Sequence, residues 1–458
     1  MKTRRFLPVF FLTLLLLVQT VTPAWAEEEE PKRIPPPEIQ SKAALLVDQK
    51  TGAVVYAKQE KDELYPASTT KIMTCLLVLE AIDQGKLSLS QEVTATASAM
   101  EGLAEDGSTA GIQPGEVMTV ESLLYCMMMG SANEASTILG EQVAGSVEAF
   151  VEAMNAKAKA LGCENTHFMN PHGLHDSQHY TSAWDLYLIT KEALEYPDFL
   201  RICDTRDHTV PATNLSEERT LHNTNFLIRS GRDYYNPDVH GVKTGSHSQA
   251  GHCLVSTAQK ASLSFLCVVL GADRVQKEDN SWWTYSFGDS NLLYKWGFEN
   301  FNYQTVLKEE DVAGEAPVAL SSVDHVTLCP IEAVELLLPK NVKPEDLEKV
   351  VTLTKDPAEA PITAGDVLGS LSIRLEGEEC ATVDLVALTD VEASRLRVLW
   401  RDVKVFFSGT AVRIAAGIIL ALAVIWGVWK LLFSRRRYRY GRNVSSRGRN
   451  GYRGRRRH

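Results

Sequence analysis

No Asp or Glu stands before residue 27 or after residue 410, although the 458-residue chain carries 58 of them. The missing acids leave one end apolar and the other purely basic. At the first end, Lys2, Arg4 and Arg5 precede an apolar run that closes on Ala24-Trp25-Ala26. A charged start, an apolar middle and a small-residue site read as a secretory signal peptide over residues 1–26, cleaved ahead of Glu27. The polar break Gln19-Thr20-Val21-Thr22-Pro23 argues against a membrane anchor there. At the other end, residues 411–433 are apolar apart from Arg413 and Lys430, which stand where long side chains can reach an interface. About 20 such residues cross a bilayer, so this stretch reads as a transmembrane helix, with Trp426 and Trp429 suited to its interfacial belt. The tail 434–458 has 11 Arg and no acid, which places it in the cytoplasm and everything between signal and helix outside. The expectation is a single-pass protein of the cell membrane.

Positive charge is scarce in the exported part. Residues 27–410 hold 31 Lys and Arg against 58 Asp and Glu, a balance of −27. That surface argues against a polyanionic substrate, and no nucleic-acid partner is expected. Topology and attraction to anionic lipid account for the basic tail. Zinc-type spacing is also missing among the eight Cys. An even number of Cys in an exported chain invites disulfides. Cys75, Cys126 and Cys267, however, sit in apolar patterns and read as buried thiols.

Residues 27–40, charged and Pro-rich, read as a linker. Residues 41–275 are long enough for one substantial core. Within them, "AALLVD" and "GAVVYAK" read as a hairpin, "TVESLLYCMMMG" carries the helical period, and "SLSFLCVVLGA" is a continuous strand-type run. Residues 302–390, rich in Val, Leu, Pro and turn signals, read as a small β domain, and 391–410 as a juxtamembrane segment.

Ser68 and Lys71 form the only Ser-x-x-Lys in the chain. A helical pattern follows through Ile72, Cys75, Leu76, Leu79 and Ile82, so Ser68 opens a helix with Lys71 one turn on and on the same face. The helix start favours a developing anion. A neutral Lys71 could take the hydroxyl proton, and burial plus a neighbouring cation would make it neutral. Taken alone, the pair reads better as a helix cap beside a solvated lysine. Ser131 and Asn133 form a Ser-x-Asn between two helices, which alone also fits an ordinary turn. Lys-Thr-Gly occurs twice. Lys50-Thr51-Gly52 falls at the hairpin tip, where Gly52 supplies the turn and Lys50 faces water. Lys243-Thr244-Gly245 opens a strand after Ser68 and Ser131 in chain order, with Gly245 leaving room for a substrate backbone at a sheet edge. The second copy is assigned to the site.

Ser68-x-x-Lys71, Ser131-x-Asn133 and Lys243-Thr244-Gly245, in this order, resemble the low-molecular-mass penicillin-binding proteins. More closely, the chain is similar to the serine-type D-alanyl-D-alanine carboxypeptidases, through "FMNPHGLHDSQHYTSAWDL", "LHNTNFLI" and "HGVKTG" as well. The resemblance implies an α/β (α+β) catalytic domain of the serine β-lactamase/penicillin-binding-protein type, followed by a small all-β domain and the membrane helix. It implies that Ser68 attacks the penultimate D-Ala carbonyl of a peptidoglycan stem peptide, with Lys71 as base. Ser131 and Asn133 would move protons and hold substrate, and Lys243 and Thr244 would bind the terminal carboxylate. The N–H groups of Ser68 and Ser246 would form the oxyanion hole. β-Lactams would acylate Ser68, and no cofactor is implied. Ala132, Glu134 and Ser246 stand where many relatives have Gly, Asp and His. His172, His175 and His179 match no zinc pattern and read as loop structure near the site. The alternatives are a D,D-endopeptidase, a class A β-lactamase-like enzyme and a catalytically weak penicillin-binding scaffold.

Overall fold

The computed structural model describes residues 34–103 and 107–434. The signal-peptide reading, half of the linker (27–33) and the Arg-rich tail beyond Ser434 lie outside the described residues. Two compact units are present. One comprises the chain up to Leu307 with Ala333–Glu348 and Ile373–Ala381; the other comprises Lys308–Glu332, Lys349–Ser372 and the chain from Thr382 on.

The first unit is built on five strands, β1 (Ala43–Asp48), β2 (Val54–Lys58), β3 (Val239–His247), β4 (Gly251–Lys260) and β5 (Leu263–Ala272). They form one sheet in the order β2-β1-β5-β4-β3, every neighbouring pair antiparallel. β1 and β2 make the expected hairpin, with Ala44 opposite Lys58. The expected strand in "SLSFLCVVLGA" is β5. Its unbroken apolar character has a simple cause: both faces of the sheet are covered. Successive strand side chains point to opposite faces. Leu45, Val255, Leu266 and Val268 accordingly join a helical core on one side. Leu46, Leu254, Cys267 and Val269 pack with Leu293 and Tyr294 on the other.

The helical core comes from α1 (Lys71–Asp83), α2 (Val120–Met128), α3 (Asn133–Ala144), α4 (Val147–Ala160), α5 (Ala183–Leu194) and α6 (Pro197–Cys203). The far side is covered by α7 (Tyr285–Asn300). Side-chain oxygens of Thr119, Ser146 and Ser182 accept from backbone N–H groups at the starts of α2, α4 and α5. The periodicity of α1 predicts one apolar stripe. In the fold every residue from Lys71 to Leu79 is buried, because α1 is the central helix and is surrounded on all sides. All eight Cys are described and none is in a disulfide. Cys75, Cys126 and Cys267 are buried, as their patterns imply.

The C-terminal part is all-β. β6 (Phe301–Leu307) pairs with β9 (Val334–Pro339). β7 (Gly314–Ala319), β8 (His325–Pro330), β10 (Glu348–Leu353), β11 (Ala358–Glu359), β12 (Val367–Leu375) and β13 (Glu378–Ala387) form a sheet in the order β10-β12-β13-β8-β7-β11. Two helices follow. α8 (Arg395–Ser408) exposes Leu396, Leu399, Trp400, Val403, Phe406 and Phe407. α9 (Thr410–Ser434) is long and apolar enough to cross a membrane.

Candidate active site

Ser68 lies in a 3-10 turn, Ala67–Thr70, that runs directly into α1. The turn is pinned from inside: the Thr69 hydroxyl donates to the Pro66 carbonyl at 2.7 Å and that of Thr70 to the Ala67 carbonyl at 2.8 Å. Ala67 has φ +48°, a left-handed conformation that an alanine adopts only at a cost of about 1–3 kcal/mol. Its surroundings hold it there. Gly173 approaches so closely that a Cβ on it would lie 1.9 Å from the Ala67 carbonyl oxygen.

Lys71, one turn after Ser68, is fully buried. Its Nζ donates to Ser68 Oγ at 3.1 Å, to Asn133 Oδ1 at 2.8 Å and to the His172 carbonyl at 2.6 Å. An ammonium has three protons, and all three are engaged. Burial, and then the charge of Lys243, hold the Lys71 amine well below the ordinary lysine range, while Glu134 acts the other way. When Lys71 is neutral, its lone pair faces the Ser68 hydroxyl and can accept that proton.

Ser131 lies in the sharp connection between α2 and α3, and Asn133 is the first residue of α3. Ser131 has φ +59°, a second strained non-glycine residue beside the site. Its Oγ accepts from Lys243 Nζ at 3.1 Å, and the same Nζ donates to the Thr244 carbonyl at 2.9 Å. Burial lowers Lys243 to about 7. Thr244 Oγ1 shares a 2.6 Å hydrogen bond with Thr224 Oγ1. The three sequence-assigned motifs therefore converge: two buried lysines bridge Ser68 to Asn133 and Ser131 to the edge strand β3.

The structure adds two details. Gly245 was expected to leave room for a substrate backbone. Its vacant Cβ position faces the Ser68 turn, 2.9 Å from the Pro66 carbonyl oxygen and 3.0 Å from the Ser68 nitrogen, so the turn needs the space as well. Ser246, the next residue, is exposed at the sheet edge. The other Lys-Thr-Gly does lie at the hairpin tip, but Lys50 does not simply face water: it pairs with Glu335 and stands 4.5 Å over the Tyr303 ring.

The histidine loop braces the site. His179 Nδ1 accepts from the Met169 N–H at 3.1 Å, which leaves the proton on Nε2, 2.8 Å from Thr70 Oγ1. Burial takes His172 and His179 down to about 3, so both are neutral. Glu134 fastens a neighbouring segment, its Oε1 accepting from Thr109 Oγ1 and the Ala110 N–H at 2.7 Å each. The Asn133 N–H donates to the Ser108 carbonyl beside it. The motifs alone did not single out Thr224, Gly173 or the Thr70–His179 contact. The only signal was their place in stretches typical of the resembled proteins.

A family model for D-alanyl-D-alanine carboxypeptidases matches residues 30–274, more than half of the chain. The chain belongs to that family, and it is a serine peptidase. A second model, the C-terminal domain of penicillin-binding protein 5, matches residues 301–393. The D-alanyl-D-alanine carboxypeptidase DacF of Bacillus subtilis is 33% identical over 389 residues, covering 85% of this chain and 95% of the relative. A D-alanyl-D-alanine endopeptidase of Escherichia coli is 32% identical over 248 residues, covering 54% of this chain and 76% of the relative. Among solved structures, penicillin-binding protein 5 of Haemophilus influenzae has 29% identity and a TM-score of 0.64, with 79% of this chain and all of that one covered. The expected penicillin-binding fold with its C-terminal β domain is therefore the fold of this member of the family.

Proposed function

We propose that the protein removes the terminal D-Ala from peptidoglycan stem pentapeptides through an acyl-enzyme on Ser68. The observation that carries this is the position of Lys71 Nζ, 3.1 Å from Ser68 Oγ and 2.8 Å from Asn133 Oδ1 in a fully buried site. Lys71, kept neutral by burial and by Lys243, takes the Ser68 proton as Oγ attacks the penultimate D-Ala carbonyl. The oxyanion sits between the N–H groups of Ser68 and Ser246. Charged Lys243 and the Thr244 hydroxyl hold the terminal carboxylate, and Asn133 the substrate amide. The proton that Lys71 took passes through the Ser131 hydroxyl to the leaving D-Ala nitrogen, which leaves Lys71 neutral for the next step. Water then hydrolyses the ester by the same Lys71 route. β-Lactams, which mimic D-Ala-D-Ala, acylate Ser68. Substrate lies along the outer edge of β3, whose one strand neighbour among the described residues is β4. α9 spans the cytoplasmic membrane with the catalytic unit outside and the basic tail inside, supported by its length and by the charge asymmetry of the chain.

The endopeptidase reading is favoured by the Escherichia coli relative, which matches over about the catalytic length only. The carboxypeptidase relative also matches through the β domain. The test offers the full chain in detergent an acyl-Lys-D-Ala-D-Ala peptide and a cross-linked muropeptide dimer. Faster release of D-Ala from the peptide, absent in Ser68→Ala, supports the carboxypeptidase. Cleavage of the dimer alone reverses the assignment.

A further inference from the structure

The proposed mechanism leaves one group of side chains beside Ser68 unused. Tyr65 stands three residues before the nucleophile. Its ring meets the His175 ring edge-on at 4.7 Å between centroids and the His247 ring at 6.3 Å; His175 and His247 are 5.4 Å apart. Lys243, Gly245 and His247 share one face of β3, because strand side chains alternate. Gly245 faces the nucleophile turn, so His247 projects on that same side.

Strand geometry says which part of a substrate meets this cluster. A strand advances about 3.3 Å per residue, which puts His247 about 10 Å beyond Thr244. With the terminal carboxylate at Thr244 and the scissile carbonyl at Ser246, an extended peptide has its third residue from the C-terminus about 7 Å along. The side chain of that residue then reaches the level of His247. His247 Nδ1 accepts from the Ala250 N–H at 3.1 Å, so the ring proton is on Nε2, and this nitrogen is a donor. Burial and the His175 ring lower the basicity of His247, which keeps it neutral at pH 7.

Resting on the carboxypeptidase reading, we propose that Tyr65, His175 and His247 form the subsite for the residue preceding D-Ala-D-Ala, and that it selects a side chain ending in a carboxylate or carboxamide over one ending in an ammonium alone. An acceptor oxygen can take the Nε2–H of His247 and the Tyr65 hydroxyl proton. A lone ammonium has only donors and leaves the imidazole N–H unpaired.

The test measures kcat/KM of the full chain in detergent for acyl-diaminopimelyl-D-Ala-D-Ala against acyl-lysyl-D-Ala-D-Ala. A hydrogen bond to a charged oxygen supports a preference of about tenfold for the diaminopimelyl peptide. His247→Ala brings the ratio to within about twofold of one, while His247→Gln, which restores an N–H donor, recovers part of it. Stoichiometric labelling by benzylpenicillin shows that each variant is folded. Equal rates in the wild type, or a preference that survives His247→Ala, overturns the subsite while the carboxypeptidase stands. Cleavage of neither peptide sinks both.

Discussion

Two tripeptides of identical sequence have opposite fates in this molecule. Lys50 has 56% of its side chain exposed, pairs with Glu335 and sits at a turn made by Gly52 at φ +75°. Lys243 is 1% exposed, donates to Ser131 and to the Thr244 carbonyl, and loses basicity to about 7. The threonines differ as well. Thr51 Oγ1 donates to Asp48 within the hairpin, whereas Thr244 meets Thr224 across a 20-residue separation. Composition is the same, so the difference is made by place: one copy is between the two strands of an exposed hairpin, the other lies on an edge strand against a nucleophile turn. A short motif has chemistry only where the fold withdraws its charge from water.

Substitutions can sharpen or break that contrast. Ser68→Ala sets the scale: D-Ala release should fall by at least about 10^4-fold, read by a coupled D-Ala assay, with penicillin labelling lost. Lys243→Ala should lower kcat/KM by about 10^2–10^3-fold, since it removes the proposed partner of the substrate carboxylate and the hydrogen bond to Ser131. The pH profile gives the sign. The proposed mechanism requires Lys71 neutral and Lys243 charged, so kcat/KM should rise as Lys71 deprotonates and fall as Lys243 deprotonates near about 7. Removing the Lys243 charge raises the basicity of Lys71 and moves the acid limb to higher pH. Lys243→Arg stays charged and removes the basic limb. An unchanged profile in both variants would rule out the coupling between Lys243 and Lys71.

Gly245→Ala comes next. Its new methyl, about 3.0 Å from the Ser68 and Thr69 nitrogens, should slow acylation by about 10–100-fold with little change in melting temperature. The matching change at the hairpin, Gly52→Ala, should do the reverse: leave acylation alone and destabilise by about 1–2 kcal/mol through its positive φ, seen as a lower melting temperature. Lys50→Ala should be the smallest effect, at most about 1 kcal/mol for an exposed pair and no change in rate. A loss of activity there would overturn the assignment of the two copies.

What was legible in the sequence was local. The β1–β2 hairpin, the helix after Ser68 and the strand β5 each follow from neighbours within one element. The order of the three motifs was enough to bring Ser68, Lys71, Ser131, Asn133 and Lys243 together. Illegible contacts join residues far apart: Thr70 to His179 across 109 positions and Lys50 to Glu335 across 285. The complete burial of α1 was hidden for a related reason. Periodicity reports one apolar face, and it cannot report that other helices close over the second. The contact of Gly245 with the Ser68 turn was not legible, because a glycine tells that something comes close without telling what does.

The approach of Gly173 to the Ala67 carbonyl bears on how such an enzyme fails under selection. Gly173 carries no functional group, and it touches no reacting atom. Any side chain there nonetheless collides with the backbone that presents Ser68. Under the proposed mechanism, variants that escape β-lactam acylation need not alter Ser68, Lys71 or Lys243. A screen that sequences only the three motifs would score them as intact, while the lesion sits in a loop more than 100 positions downstream of the nucleophile.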